Sequence, residues 1–213
     1  MNFLPKEIED YALKNSDAEL DVLKKLYRET HLKMNMPQML SGHMQGLMLQ
    51  MFSKMIQPAA ILEIGTFTGY SAICLAQGLK NGGTLHTIEA NEEFQEIILR
   101  YIKEAGLENK IHLHIGAAVN ILPALKGEFD LVFIDADKAN YSTYYDLVFP
   151  KVKQGGYIIA DNVLWSGKIL NSAMKMDFDT KCLHDYNLKI QSDSRVENLL
   201  LPLRDGLMIS RKK

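Results

Sequence analysis

The chain of 213 residues is 47% hydrophobic and 23% charged, a balance that excludes disorder and collagen-like repeats. Its length allows one domain, or two small ones at most. With 24 basic against 26 acidic residues, a net charge of −2, no overall field grips nucleic acid or an anionic membrane.

Two cysteines, Cys74 and Cys182, make no disulfide framework and suit a reducing cytosol. The start, Met1-Asn2-Phe3-Leu4-Pro5-Lys6-Glu7, lacks the basic-then-apolar order of a signal peptide. No run approaches the ~18 apolar residues of a membrane span. The expectation is a cytoplasmic globular protein with no membrane partner.

Residues 5–33 read as helix, with Ile8, Leu13, Leu20, Leu23 and Leu26 near helical spacing. Residues 43–56 read as a second helix. Seven of the 11 methionines fall between Met34 and Met55, a face suited to core, to a dimer contact or to the border of a pocket for a flat organic group. From residue 59 the texture alternates. Strands are predicted at 60–64, 84–88, 111–115, 129–134 and 157–160, and helices at 70–79, 92–105, 120–125 and 141–153. Such alternation means parallel strands with crossover helices on both faces. Residues 196–201 and 206–211 read as two more strands joined by Pro202-Leu203-Arg204-Asp205. The predicted fold is a doubly wound, Rossmann-like α/β sheet of seven strands, mostly parallel, with an antiparallel strand near the C-terminus.

Ligands of such sheets bind outside the carboxyl ends of the strands. The first strand ends in Glu63-Ile64-Gly65-Thr66-Phe67-Thr68-Gly69-Tyr70-Ser71. Two glycines four apart let a backbone turn come close to a ligand, yet the order is not G-x-G-x-x-G. Glu63 would repel a pyrophosphate and attract an ammonium or sulfonium, and Ser71 suits a carboxylate, so an amino-acid-like ligand fits better than a dinucleotide. Glu89, ending the second strand, suits paired ribose hydroxyls. Gly116-Ala117-Ala118 leaves room for a flat ring. The fourth and fifth strands end in Asp135-Ala136-Asp137-Lys138 and Asp161-Asn162. Asp135, Asp161 and the Asn162 amide oxygen form a donor set for a hard divalent cation, and Lys138 is placed to take a proton from a hydroxyl beside it. His112 and His114 lack a third ligand and read as solvated. His43 lines the pocket or caps its helix, and Cys74 is no nucleophile.

The stretches Leu62-Glu63-Ile64-Gly65-Thr66-Phe67-Thr68-Gly69-Tyr70-Ser71, Phe133-Ile134-Asp135-Ala136-Asp137-Lys138 and Asp161-Asn162-Val163-Leu164-Trp165, in that order, resemble the cation-dependent class I O-methyltransferases. The nearest branch is the caffeoyl-CoA O-methyltransferase-like one, related to catechol O-methyltransferase. The resemblance implies S-adenosylmethionine as methyl donor and a divalent cation, Mg²⁺ before Ca²⁺ or Mn²⁺. It places Ser41, Glu63, Gly65 and Thr66 beside the methionine part of the donor, Ser71 at its carboxylate and Glu89 at its ribose. Ala118 and Asp137 flank adenine, Asp135, Asp161 and Asn162 hold the metal, and Lys138 is the base.

It further implies a homodimer and one methyltransferase domain: residues 1–57 a helical cover, residues 58–213 the donor-binding core, with an insertion at about 165–194. The acceptor is a small catechol-like or hydroxycinnamoyl hydroxyl compound, chosen by the cover, the methionine face and the insertion. Pro202 stands where catechol O-methyltransferases place a glutamate, which argues against a catechol neurotransmitter. Some bacterial relatives methylate 5-hydroxyuridine in tRNA, the alternative acceptor. A nicotinamide oxidoreductase would want G-x-G-x-x-G and Tyr-x-x-x-Lys, and neither is present.

Overall fold

The computed structural model describes residues 5–213; residues 1–4, part of the start read above for a signal peptide, lie outside the described residues. Apolar segments pair as parallel strands: β1 (Ala60–Ile64), β2 (Thr84–Glu89), β3 (Ile111–Ile115), β4 (Phe129–Ile134) and β5 (Val152–Asp161). Two further strands, β6 (Val196–Leu201) and β7 (Leu207–Lys212), close one side, in the order β3-β2-β1-β4-β5-β7-β6. β7 runs antiparallel to both β5 and β6, so it is the inverted strand of the expected pair.

Helices cover both faces. On one lie α2 (Asp21–Lys33), α3 (Gly42–Ile56), α4 (Tyr70–Ala76) and α5 (Gln95–Glu104), whose Leu26, Leu49, Ile73 and Ile98 pack with Ile61, Leu131, Phe133 and Ile159 of the sheet. On the other lie α6 (Ala118–Ile121), α7 (Tyr141–Val148) and α8 (Phe178–Ser192), against Leu62, Ile64, Val132, Ile134 and Ile158. Burial from both sides is why β1 and β4 read as near-continuous apolar runs.

Several boundaries differ from the reading of the sequence. Residues 5–33 form two helices, α1 (Lys6–Lys14) and α2, not one. Asn15 Nδ2 and Ser16 Oγ turn back to the Tyr11 and Ala12 carbonyls, each at 2.8 Å, and so close α1 with side-chain donors. The next residues reach the core separately. Tyr70 donates its hydroxyl to Glu19 at 2.5 Å, and His43 Nε2 donates to the Asp17 carbonyl at 2.9 Å. His43 therefore anchors the linker rather than capping its helix.

The helix expected at 141–153 ends at Val148, because Pro150 has no N–H to continue it, and the strand after it starts at Val152 rather than at Tyr157. The residues expected as helix at 92–105 open with a 3-10 turn, Glu92–Phe94, and the short helix expected at 120–125 starts two residues earlier, at Ala118. His114 is half-buried and not solvated: His86 Nδ1 and His114 Nε2 lie 2.9 Å apart, and the rings of His112 and His114 sit 5.1 and 5.2 Å from that of His86. Burial, then the neighbouring imidazoles, holds His86 and His114 below the ordinary histidine pKa. Among the described residues, no helix is long and apolar enough to cross a membrane.

The helix predicted at 70–79 stops at Ala76, and there α3 and α4 come together closely. Ser53 donates its hydroxyl to the Leu75 carbonyl at 2.6 Å, and a Cβ on Gly78 would overlap the Ser53 backbone. Gly78→Ala is expected to lower unfolding free energy by about 2 kcal/mol through overpacking, read as a reduced urea midpoint at unchanged slope.

Candidate active site

β1 is where the sheet order turns, to β2 on one side and β4 on the other. A cavity of about 700 Å³ opens at the carboxyl ends of these strands, the size and place expected of a small-molecule site.

Its floor is a backbone contact. Asp135 donates its N–H to the Ile64 carbonyl at 2.9 Å, and Gly65 donates to the Ile88 carbonyl at 3.0 Å. Gly65 has φ +96°, and any Cβ there would overlap the Asp135 carbonyl oxygen. The glycine expected to admit a ligand is thus required first by the end of β4.

Of the predicted site residues, all but Glu63 line the cavity. Glu63 lies fully buried beneath the turn. Its Oε2 accepts from the Thr87 hydroxyl at 2.6 Å, while its Oε1 has no hydrogen-bond partner. Burial pushes its carboxyl up to about 7, against the pull of the Ser71 and Thr87 hydroxyls. Thr66, on the turn, and Ser71, in the first turn of α4, lie buried above it. Glu89 already accepts from the Phe67 N–H (2.7 Å) and the Asn91 N–H (2.9 Å), one on each oxygen, which fixes the carboxylate and leaves each oxygen a free lone pair. Asp137 is held by the Tyr144 hydroxyl and the Asn140 amide, both at 2.5 Å.

The ends of β4 and β5 converge on Lys138. Its Nζ donates to Asp135 Oδ1 (3.0 Å), Asn162 Oδ1 (2.9 Å) and the Tyr141 hydroxyl (2.7 Å). Tyr141 in turn donates to the Asp161 backbone carbonyl at 2.9 Å. Asp161 is buried; burial, then the charge of Asp135, raises its carboxyl above the usual range. Its Oδ1 accepts from the Asn162 N–H at 2.7 Å and its Oδ2 from Gln45.

Among the described residues, no group of three or more His, Cys, Asp or Glu side chains is set to hold a metal ion. The three residues expected to hold a cation offer two carboxylates and one amide oxygen, and the Lys138 ammonium lies against Asp135 and Asn162. Hard oxygen donors around a positive charge fit a divalent cation.

Reading the sequence missed Gln45, Tyr141, Tyr144, Arg204 and Asp205. Register carries a signal for the last two: Leu207 pairs with Asp161 across β7 and β5, so the residues just before it must reach the site. Phe67, Asn162, Trp165 and Arg204, all lining the cavity, have φ between +46° and +60°, strained for residues with a Cβ.

Residues 13–213 match a family model described as O-methyltransferase. A curated relative from Dictyostelium discoideum, probable caffeoyl-CoA O-methyltransferase 2, is 31% identical over 208 residues, covering 95% of this chain and 90% of its own. The O-methyltransferase of Bacillus cereus in complex with SAH superposes with a TM-score of 0.90 at 28% identity, over 97% of each chain. The O-methyltransferase TomG of Streptomyces achromogenes in complex with SAM has a TM-score of 0.90 at 27% identity, over 97% of this chain and 96% of its own.

A carboxyl whose pKa rises on folding binds its proton more tightly in the folded state, so stability falls as pH rises from its unfolded value of 4.5 to about 7. For Glu63 this loss is on the order of 3 kcal/mol. Glu63→Gln is expected to flatten the fall in melting temperature of ligand-free protein between pH 5 and pH 7, as measured by calorimetry.

Proposed function

The chain belongs to the O-methyltransferase family, and from that membership and the cavity above we infer that it moves the methyl group of S-adenosylmethionine to a hydroxyl of a small catechol-like or hydroxycinnamoyl acceptor, with help from a divalent cation. The observation that carries this reading is the convergence of Asp135, Asp161, Asn162 and Lys138 at the ends of two adjacent strands.

The donor's ammonium and sulfonium match the acidic strand ends, with the Glu63 carboxyl buried directly beneath the turn that borders the methionine part. Ser41, Gly65 and Thr66 border the methionine part and Ser71 receives its carboxylate. Glu89 receives the ribose through its remaining lone pairs, and Ala118 and Asp137 flank adenine. Asp135, Asp161 and Asn162 would hold the cation, Mg²⁺ before Ca²⁺ or Mn²⁺, which when bound lowers the pKa of an acceptor hydroxyl.

Lys138 Nζ, in the neutral form reached once the ammonium has released one proton to solvent, takes the acceptor's hydroxyl proton. Asp135, Asn162 and Tyr141 aim that nitrogen, and the Trp165 ring lies 5.8 Å from it. The acceptor oxygen then forms its bond to the methyl carbon as the carbon–sulfur bond breaks and leaves a neutral thioether. Rigid strand ends hold the two reactants in line, which supplies much of the rate. The free thiols Cys74 and Cys182 fit the cytoplasm as the place of this activity.

A homodimer fits the outer face of the molecule. Exposed Met55 on α3 lines a groove with Tyr157 and Ile209, and exposed Leu199 of the edge strand β6 pairs with Ile209. Light scattering is expected to give twice the chain mass; Met55→Glu should lower it, and Met174→Glu, exposed elsewhere, should not.

Methyl transfer to a panel of catechols and hydroxycinnamoyl thioesters tests the activity. Chelator or Asp161→Ala is expected to abolish turnover. Lys138→Ala should lower kcat by about 10²–10⁴-fold with little change in donor affinity; unchanged turnover would remove Lys138 as the base.

A further inference from the structure

Asp161 is almost wholly buried, and a carboxylate so placed can offer a fixed oxygen to a cation only if its own rotation is blocked. Among the described residues two groups donate to it: the Asn162 N–H to Oδ1 and Gln45 Nε2 to Oδ2. Gln45 is 2% exposed, a polar side chain buried on the methionine-rich helix α3.

A carboxamide has a donor end and an acceptor end of nearly equal shape, so a neighbour must decide which way it points. That neighbour is Arg204, whose Nη1 donates to Gln45 Oε1 and to the Ser41 carbonyl. A guanidinium has only donors. Gln45 must therefore present its oxygen to Arg204 and its amide hydrogens to Asp161. The flipped form would set oxygen against carboxylate and hydrogens against guanidinium. Arg204 holds its place from the turn between β6 and β7, in a left-handed conformation, φ +49°.

We propose that Arg204 and Gln45 form a positioning relay that holds the Asp161 carboxylate in the orientation in which it receives the divalent cation. The relay rests on the cation reading given above and extends it to two residues on separate elements, one from the N-terminal cover and one from the C-terminal hairpin. Hydrogen-bond partners of metal ligands commonly change metal affinity by 10–100-fold when removed.

The test is a Mg²⁺ titration of protein saturated with the demethylated donor SAH, followed by the fluorescence of Trp165. That residue is the chain's single tryptophan and lines the cavity. Gln45→Leu is expected to weaken Mg²⁺ about tenfold with SAH affinity unchanged. Arg204→Gly, which suits the left-handed turn, should weaken it similarly, because the amide is then free to flip. Arg204→Lys, which keeps a donor on Gln45 Oε1, should recover most of the loss. The Gln45→Leu/Arg204→Gly double variant should be no weaker than Gln45→Leu alone. Parental Mg²⁺ affinity in Gln45→Leu, or single losses that multiply in the double variant, would overturn the relay. A parent chain that binds no Mg²⁺ would overturn the cation reading itself, a separate result.

Discussion

The meeting of β1 and β4 at Gly65 and Asp135 is the contact on which the rest of the site depends. The two strands are neighbours in the sheet but are separated in sequence by two other strands and three crossovers, and their ends are joined by main-chain hydrogen bonds. Because Gly65 has no side chain, the Asp135 carbonyl lies directly against its Cα. That approach puts the donor-side turn, with Ser71, next to the acceptor-side cluster of Asp135 and Lys138. A side chain at 65 would push the two half-sites apart, and methyl transfer depends on their separation.

Five carboxylates, those of Glu63, Glu89, Asp135, Asp137 and Asp161, gather at this sheet edge in a chain whose net charge is only −2. The structure keeps them there chiefly with neutral donors: the Thr87 hydroxyl, the Phe67 and Asn91 N–H groups, the Tyr144 hydroxyl and the Gln45 amide. Lys138 supplies a direct ion pair to Asp135. Where desolvation outweighs these donors, at Glu63 and Asp161, the carboxyl holds its proton more tightly. A site arranged in this way stores a demand for positive charge, which a sulfonium, an ammonium and a metal ion would meet.

Strands were the most legible part of the sequence. The runs at 60–64, 111–115 and 129–134 are rich in Ile, Leu, Val and Phe and bounded by turn residues, and they match the observed strands. The strand-end acids were legible for the same reason, since the end of a well-marked strand is itself well marked. The break between α1 and α2 was not legible, because Asn15 and Ser16 end the helix by bonding back to it, without proline or glycine. The stretch 165–194, read as an insertion without a motif, contains α8, a 15-residue helix of the core. Its buried positions include Thr180 and Tyr186 beside Leu183 and Ile190, so half of its inner face carries a hydroxyl and the apolar period is weak. Gln45 and Arg204 were hidden because their roles exist only between elements far apart in the chain.

The inverted strand β7 has a consequence for the order in which the protein is made. The five parallel strands and their crossovers lie within residues 60–161, whereas the hairpin that brings Arg204 and Asp205 to the cavity is translated after all of them. A chain emerging from the ribosome at ~5–20 residues per second therefore carries the cleft without Arg204 and Asp205 until β7 can take its place between β5 and β6. Of the residues that line the cavity, Arg204 and Asp205 are thus the last to be translated.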